Sequence, residues 1–205
     1  MVVRIEPLGR YHDRVGFASG EPLLADWFRQ RAALDDKRNV ARIFVAVDDE
    51  GIAGFYSLSA FTLSPTDIPE DLARELPRYD AIPAGLIGRL ARDERVRGQG
   101  TGRLLLADAI KRILGAGRTL ADFAIVVDAK DDRAVAFYKR YGFQSFPLRP
   151  RRLFLLASTT VAGLKKLCRR FRSGNLPLGH VIGAATRRDV LAIGGIAIVG
   201  SAVFI

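Results

Sequence analysis

Cysteine is nearly absent from this chain of 205 residues: Cys168 stands alone, so no internal disulfide can form. Histidine is almost as scarce, with only His12 and His180. One thiol and two imidazoles cannot supply a structural zinc cluster, and no metal site is expected. This thiol-poor composition fits a reducing compartment. The first residues, MVVRIEPLGRYHDR, hold neither the apolar core nor the cleavage site of a secretory leader, and a cytoplasmic location is expected. Long apolar runs are missing until Val190–Ile205, whose sixteen uncharged residues fall short of the roughly 18–20 of a spanning helix. Acidic residues are in deficit, 22 against 32 Lys and Arg, for a net charge of +10. That balance favours anionic partners, such as coenzyme phosphates, nucleic acid or lipid headgroups.

What is present describes a globular chain, 49% hydrophobic and 26% charged. The basic excess is uneven: residues 161–205 hold seven Lys and Arg against Asp189 alone. A domain is expected over residues 1–160, followed by a basic, then apolar, extension of low order over 161–205. Three roles compete for that extension: packing on the domain or a second copy, contact with a membrane surface, and an incidental extension without function. LKKLCRRF (164–171) reads as a short basic amphipathic helix ahead of the apolar run.

Apolar periodicity places the elements. A strand is expected over Met1–Pro7 and one amphipathic helix over Glu21–Lys37. A β-hairpin follows, over Ala41–Asp48 and Ile52–Leu63, turning at Asp49-Glu50-Gly51. Four prolines mark Ser64–Pro83 as a loop with one helical turn at Glu70–Leu76. Then come a strand (Ala84–Asp93), a charged glycine-rich loop (Glu94–Gly102), a helix (Thr101–Gly115), a strand (Asp122–Asp128), a helix (Asp131–Tyr141) and two short strands (Phe143–Phe146, Arg152–Ala157). This alternation indicates an α/β fold with a mixed sheet of about six to seven strands flanked by helices.

Two motifs carry chemistry. Arg97-Gly98-Gln99-Gly100-Thr101-Gly102 follows a strand and opens a helix, so glycine amides and a helix N-terminus converge on a place suited to a pyrophosphate. No Lys-Ser/Thr follows, which excludes a Walker loop, and the spacing is a poor dinucleotide fingerprint. The second motif is Ala134-x-x-Phe137-Tyr138-x-x-x-Gly142-Phe143, one strand and one helix further on. Taken alone, its aromatics read equally well as core.

Together these motifs resemble the GNAT acetyltransferases, whose signature Q/R-x-x-G-x-G/A is met by Arg97, Gly100 and Gly102. The resemblance implies that Arg97, Gly98, Gln99, Gly100, Thr101 and Gly102 bind the pyrophosphate of acetyl-CoA. It implies that backbone at Leu90, Ala91 and Arg92 takes the pantetheine arm and acetyl carbonyl, and that Tyr138 protonates the departing thiolate, with Tyr141 its competitor. Further strings narrow the likeness over residues 4–157. They are Phe17-x-Ser19-Gly20, Leu24-x-Asp26-Trp27, Gly54-Phe55-Tyr56-Ser57-Leu58, Gly88-Arg89-Leu90-Ala91, Val127-Asp128-Ala129-Lys130-Asp131 and Leu148-x-Pro150-x-Arg152-Leu153-Phe154-Leu155. They resemble the GNAT toxins of type II toxin–antitoxin modules, which acetylate the α-amine of aminoacyl-tRNA and block translation. The resemblance implies an aminoacyl-tRNA acceptor and a small antitoxin of ribbon-helix-helix type; dimers are common in the group.

Two positions depart from the pattern. Arg92 stands where an aliphatic residue is usual, and Arg97 where glutamine is commoner. No general base is apparent; Asp93 and Glu94 read equally well as solvated. An RNA acceptor calls for a basic rim, with Arg92, Arg149 and Arg151 favoured from a set that includes Arg78, Arg89, Arg95, Lys139 and Arg140. The rival function is acetylation of a small amine or a protein N-terminus. A non-catalytic coenzyme-binding module is a third reading.

Overall fold

A computed structural model describes residues 3–76, 80–117 and 119–160. Arg78 and the extension from 161 onward lie outside the described residues. The chain divides after Leu155 into two compact units, and the elements that frame the site belong to the first.

The elements run β1 (Arg4–Pro7), α1 (Pro22–Gln30), α2 (Ala32–Lys37), β2 (Arg42–Asp48), β3 (Gly51–Leu63), α3 (Glu70–Glu75), β4 (Ile82–Arg92), α4 (Thr101–Ala116), β5 (Ala124–Asp128), α5 (Asp132–Arg140), β6 (Gln144–Ser145) and β7 (Arg152–Leu156). Seven strands form one sheet in the order β1-β2-β3-β4-β5-β7-β6. The pairs β1–β2, β2–β3, β3–β4 and β6–β7 are antiparallel, and β4–β5 is parallel. The mixed α/β sheet is therefore as expected. The single helix expected over Glu21–Lys37 is instead two. The helix is interrupted at Arg31, where φ widens to −114°, and Ala32, the first residue of α2, is buried in the core with Phe28. Apolar spacing alone does not show such a break, because both pieces bury the same face.

Side-chain alternation along the strands builds a core on each face of the sheet. On one face Tyr56, Ile87, Ile125, Val127, Leu153 and Leu155 pack with Leu105, Ala109 and Ile113 of α4 and Tyr138 of α5. On the other, Val45, Phe55 and Ala91 pack with Ala25, Phe28 and Ala32 of α1 and α2. The Phe28 and Phe55 rings stack at 4.1 Å there. Burying a side chain of this size stabilises by about 1.5–3 kcal/mol.

Two close approaches need glycine. A Cβ at Gly54 would lie 2.9 Å from the Ala91 carbonyl and 2.8 Å from Leu105 Cδ1, so β3, β4 and α4 meet there only because position 54 has no side chain. At Gly85 a Cβ would sit 2.6 Å from Ile113 of α4.

Candidate functional site: a split between two parallel strands

The split begins where β4 and β5 part. Their pairing runs from Ala84↔Ala124 to Ile87↔Val127 and stops, while β4 continues beside β3 to Arg92. The parting coincides with a bulge. Ser57 faces Arg89 but Leu58 faces Ile87, so Gly88 is an extra residue on β4. The Arg89 amide donates to Ser57 Oγ (3.0 Å) and the Asp93 amide to the Ala53 carbonyl (2.8 Å). Backbone groups alternate sides along a strand, so the N–H and C=O of Leu90 and Arg92 point away from β3, toward the split. Ala91 points the other way and pairs with Phe55. The stretch Leu90–Arg92 thus offers two open residues, not three.

The strand leads into a 3-10 turn, Glu94–Val96, and the glycine loop. Gly98 and Gly100 both have left-handed φ, +80° and +83°. Gly100 caps α4 with no side-chain bond, and the first turn of α4 holds no acidic residue. Thr101 and Gly102 begin the helix, so their amides have no partner within it. Three features that suit an anion meet in this glycine cradle: uncapped amides, the positive end of a sixteen-residue helix, and no carboxylate in the first turn. Arg97 is exposed at the loop's edge and reaches Glu94 at 3.6 Å. Gln99 donates to the Arg95 carbonyl. Arg92 is half-buried and tied back to the loop, donating to the Asp93 carbonyl (3.1 Å) and lying 3.7 Å from Glu94.

The loop is held by a knot that sequence reasoning missed. Asp93 accepts from the Ala18 amide (2.9 Å) and the Arg95 amide (3.0 Å), and the Glu94 amide donates to the Ala18 carbonyl. Arg95 grips Asp48 with two nitrogens, at 2.8 and 3.0 Å, and Asp48's side chain is fully buried. The bonds from Arg95 hold the Asp48 carboxyl below the usual range, against the opposing effect of burial. Asp93 therefore serves the architecture, and Arg95 of the basic set is committed to Asp48. A buried aspartate ending an apolar strand was the available signal.

Tyr138 comes from α5, whose N-cap Asp131 accepts from the Ala134 amide at 2.7 Å. Its ring lies between Phe137 and Phe143, at centroid distances of 5.2 and 5.5 Å. It belongs to the same core cluster as Val96 and Leu105, against which Leu90 packs. The residue is 7% exposed. Its hydroxyl makes no hydrogen bond to the described residues. Burial first, and the nearby Asp128 charge second, push its pKa up to about 12. Tyr141 ends the helix, half-buried against Phe137.

Arg149 and Arg151 lie on the exposed turn between β6 and β7, and Arg151 contacts Asp132 at 3.3 Å. A second unforeseen group is the buried Tyr56 hydroxyl, which donates to Asp108. Arg112 also binds Asp108, at 2.7 Å. Burial and this carboxylate raise the Tyr56 pKa strongly, so it is a structural phenol. The described residues contain no cluster of metal-binding side chains and no helix long and apolar enough to cross a membrane.

Comparison with known proteins identifies the family. The family model for an acetyltransferase (GNAT) domain matches residues 39–145. The chain is 35% identical over 165 residues to a probable toxin TacT of Sinorhizobium fredii, covering 76% of this chain and 91% of that one. It is 38% identical over 144 residues to a tRNA-acetylating toxin of Mycobacterium tuberculosis, covering 70% and 86%. Among solved structures it resembles a Tyr-to-Phe mutant of the toxin AtaT bound to acetyl-CoA and the C-terminus of the antitoxin AtaR. The TM-score is 0.66 at 22% identity, over 78% of this chain and 96% of that one, a likeness of fold.

Proposed function

The chain belongs to the GNAT acetyltransferase family, and on that premise we propose that it is a toxin moving acetyl from acetyl-CoA to the α-amine of aminoacyl-tRNA, which blocks translation. The observation that carries the chemistry is that β4 runs from the open amides of Leu90 and Arg92 directly into the glycine loop, with Tyr138 in the core cluster that Leu90 packs against. The acceptor is supported by the 38%-identical relative, a tRNA-acetylating toxin.

Each part has a role. The amides of Gly98, Gly100, Thr101 and Gly102 take the pyrophosphate, with Arg97 adding charge at the edge. Backbone at Leu90 and Arg92 holds the pantetheine arm and donates to the thioester carbonyl, where negative charge develops. The neutral amine attacks that carbon, the C–N bond forms and the C–S bond breaks. Tyr138 hydrogen-bonds to the departing thiolate and relays a proton to sulfur, regaining its own from water, and the amine's lost proton passes to water. Holding the two reactants together supplies much of the acceleration. Asp93 is bound by two amides and Glu94 lies beside Arg92 and Arg97, at 3.7 and 3.6 Å, so neither is given the role of base. Arg149 and Arg151 on the β6–β7 turn belong to the RNA face. A small antitoxin, of ribbon-helix-helix type, neutralises the toxin, and the protein works in the cytoplasm.

Transfer of labelled acetyl from acetyl-CoA to total charged tRNA tests the proposal. Label on the aminoacyl group, with growth arrest on expression, supports it. Label only on free amines or peptides keeps the acetyltransferase and overturns the tRNA reading.

A further inference from the structure

The split passes through the sheet, and its two faces differ. The cradle and Tyr138 lie on the α4–α5 side. On the α1–α2 side, two charged residues flank the parting strands. Ile87 and Val127 are the last paired residues, so the next positions, at the bulge on β4 and at Asp128 on β5, flank the opening. Ile125 and Val127 point into the α4 core, so Asp128 points to the opposite face. Arg89 pairs with Ser57, two residues from Phe55, and two before Ala91; Phe55 and Ala91 pack against α1 and α2, so Arg89 shares that face.

Both side chains are braced. The Arg89 guanidinium lies 4.0 Å from the centre of the Trp27 ring, a cation–π contact, and Trp27 is itself fixed by a bond from its ring nitrogen to Asp35 (3.1 Å). Arg152 holds Asp128 with two nitrogens, at 2.7 and 2.8 Å, and its own guanidinium sits 5.2 Å over Phe61. A carboxylate with about four acceptor sites, two of them used by Arg152, keeps capacity for another donor. The Asp128 charge also acts on the Tyr138 phenol.

We propose that Asp128 and Arg89 form a two-point clamp for the acceptor: Asp128 accepts a hydrogen bond from the attacking amine, and Arg89 takes a phosphate of the nucleic-acid end that carries it. The inference rests on the aminoacyl-tRNA reading and assigns its acceptor contacts. A terminal aminoacyl nucleotide presents the matching pair, an amine and a phosphate anion. Asp128 also stabilises the positive charge that the nitrogen gains as it bonds to the acyl carbon, and guanidinium geometry suits phosphate. Arg152 acts through Asp128 and is a positioning residue.

The test separates amine from phosphate by using tRNA with and without its aminoacyl group. In Asp128→Asn, kcat/KM for aminoacyl-tRNA should fall at least 30-fold, while the inhibition constant of uncharged tRNA stays within twofold of wild type. In Arg89→Gln, the KM for charged tRNA and the inhibition constant for uncharged tRNA should both rise at least fivefold. Acetyl-CoA affinity should be unchanged in both. The clamp is overturned if Asp128→Asn weakens charged and uncharged tRNA equally, if it costs acetyl-CoA binding, or if both variants match wild type. A wild type that leaves charged tRNA unlabelled overturns the tRNA reading and the Arg89 half with it. Labelling by wild type with unaffected variants overturns the clamp alone.

Discussion

Replacing Tyr138 by phenylalanine removes one oxygen from a ring that is otherwise buried. The variant leaves the packing against Phe137 and Phe143 in place and creates no cavity. The hydroxyl gives up no hydrogen bond to the described residues, so Tm should stay within about 2 °C, as for substitutions that touch no named stabilising feature. The kinetic effect follows from the phenol's acidity. With its pKa at about 12, full transfer to a thiolate whose conjugate acid is near 8.5 is uphill by roughly 3.5 pKa units, about 5 kcal/mol. A separate tyrosinate therefore does not accumulate, and the hydroxyl helps by hydrogen bonding as the C–S bond breaks. That places the loss at the lower end of general-acid effects, about 10²-fold in kcat or about 2.7 kcal/mol. Because the folded phenol keeps its proton to high pH, the wild-type kcat profile should show no descending limb from this group up to about pH 10. Single-turnover acetyl transfer to charged tRNA, with acetyl-CoA affinity measured in parallel, reads all three. A variant with kcat within threefold of wild type, or a loss of that size in Tyr141→Phe instead, would refute the assignment.

Other expectations follow from the scaffold. Gly54→Ala forces a methyl against the Ala91 carbonyl and Leu105, and overpacking of this kind costs about 1–3 kcal/mol; thermal unfolding should show a drop of several degrees, and acetyl-CoA affinity should fall because β4 shifts. Asp48→Asn removes the charge that Arg95 grips and should cost about 1.5–3 kcal/mol by chemical denaturation. Because the folded Asp48 pKa is depressed, its contribution is complete above the ordinary carboxylate value. It fades as pH falls through the folded value, so the gap between wild type and Asp48→Asn should narrow on acidification. Reversing both Arg149 and Arg151 to glutamate should raise KM for charged tRNA at least tenfold and flatten its salt dependence while sparing acetyl-CoA binding; equal loss of both would remove these residues from the RNA face.

Sequence alone determined a good deal here, because the features concerned are local. Period-two and period-3.6 patterns fixed the order of strands and helices. The spacing Arg97-x-x-Gly100-x-Gly102 after a strand marked the cradle, since loop, cap and helix start are contiguous. Ala134-x-x-Phe137-Tyr138 marked the phenol for the same reason. Local signals could not show that the helix breaks at Arg31, because both pieces bury one face. Nor could they show that Ala91 faces β3 while Leu90 and Arg92 face the split, which depends on a bulge seen only in the pairing with Ser57 and Leu58. The Asp48–Arg95 grip joins residues 47 apart, and Arg152 reaches Asp128 across 24. Arg89 meets Trp27 only because α1 folds over β4. These contacts are set by strand order and register, and it is they that brace two charged residues where β4 and β5 part.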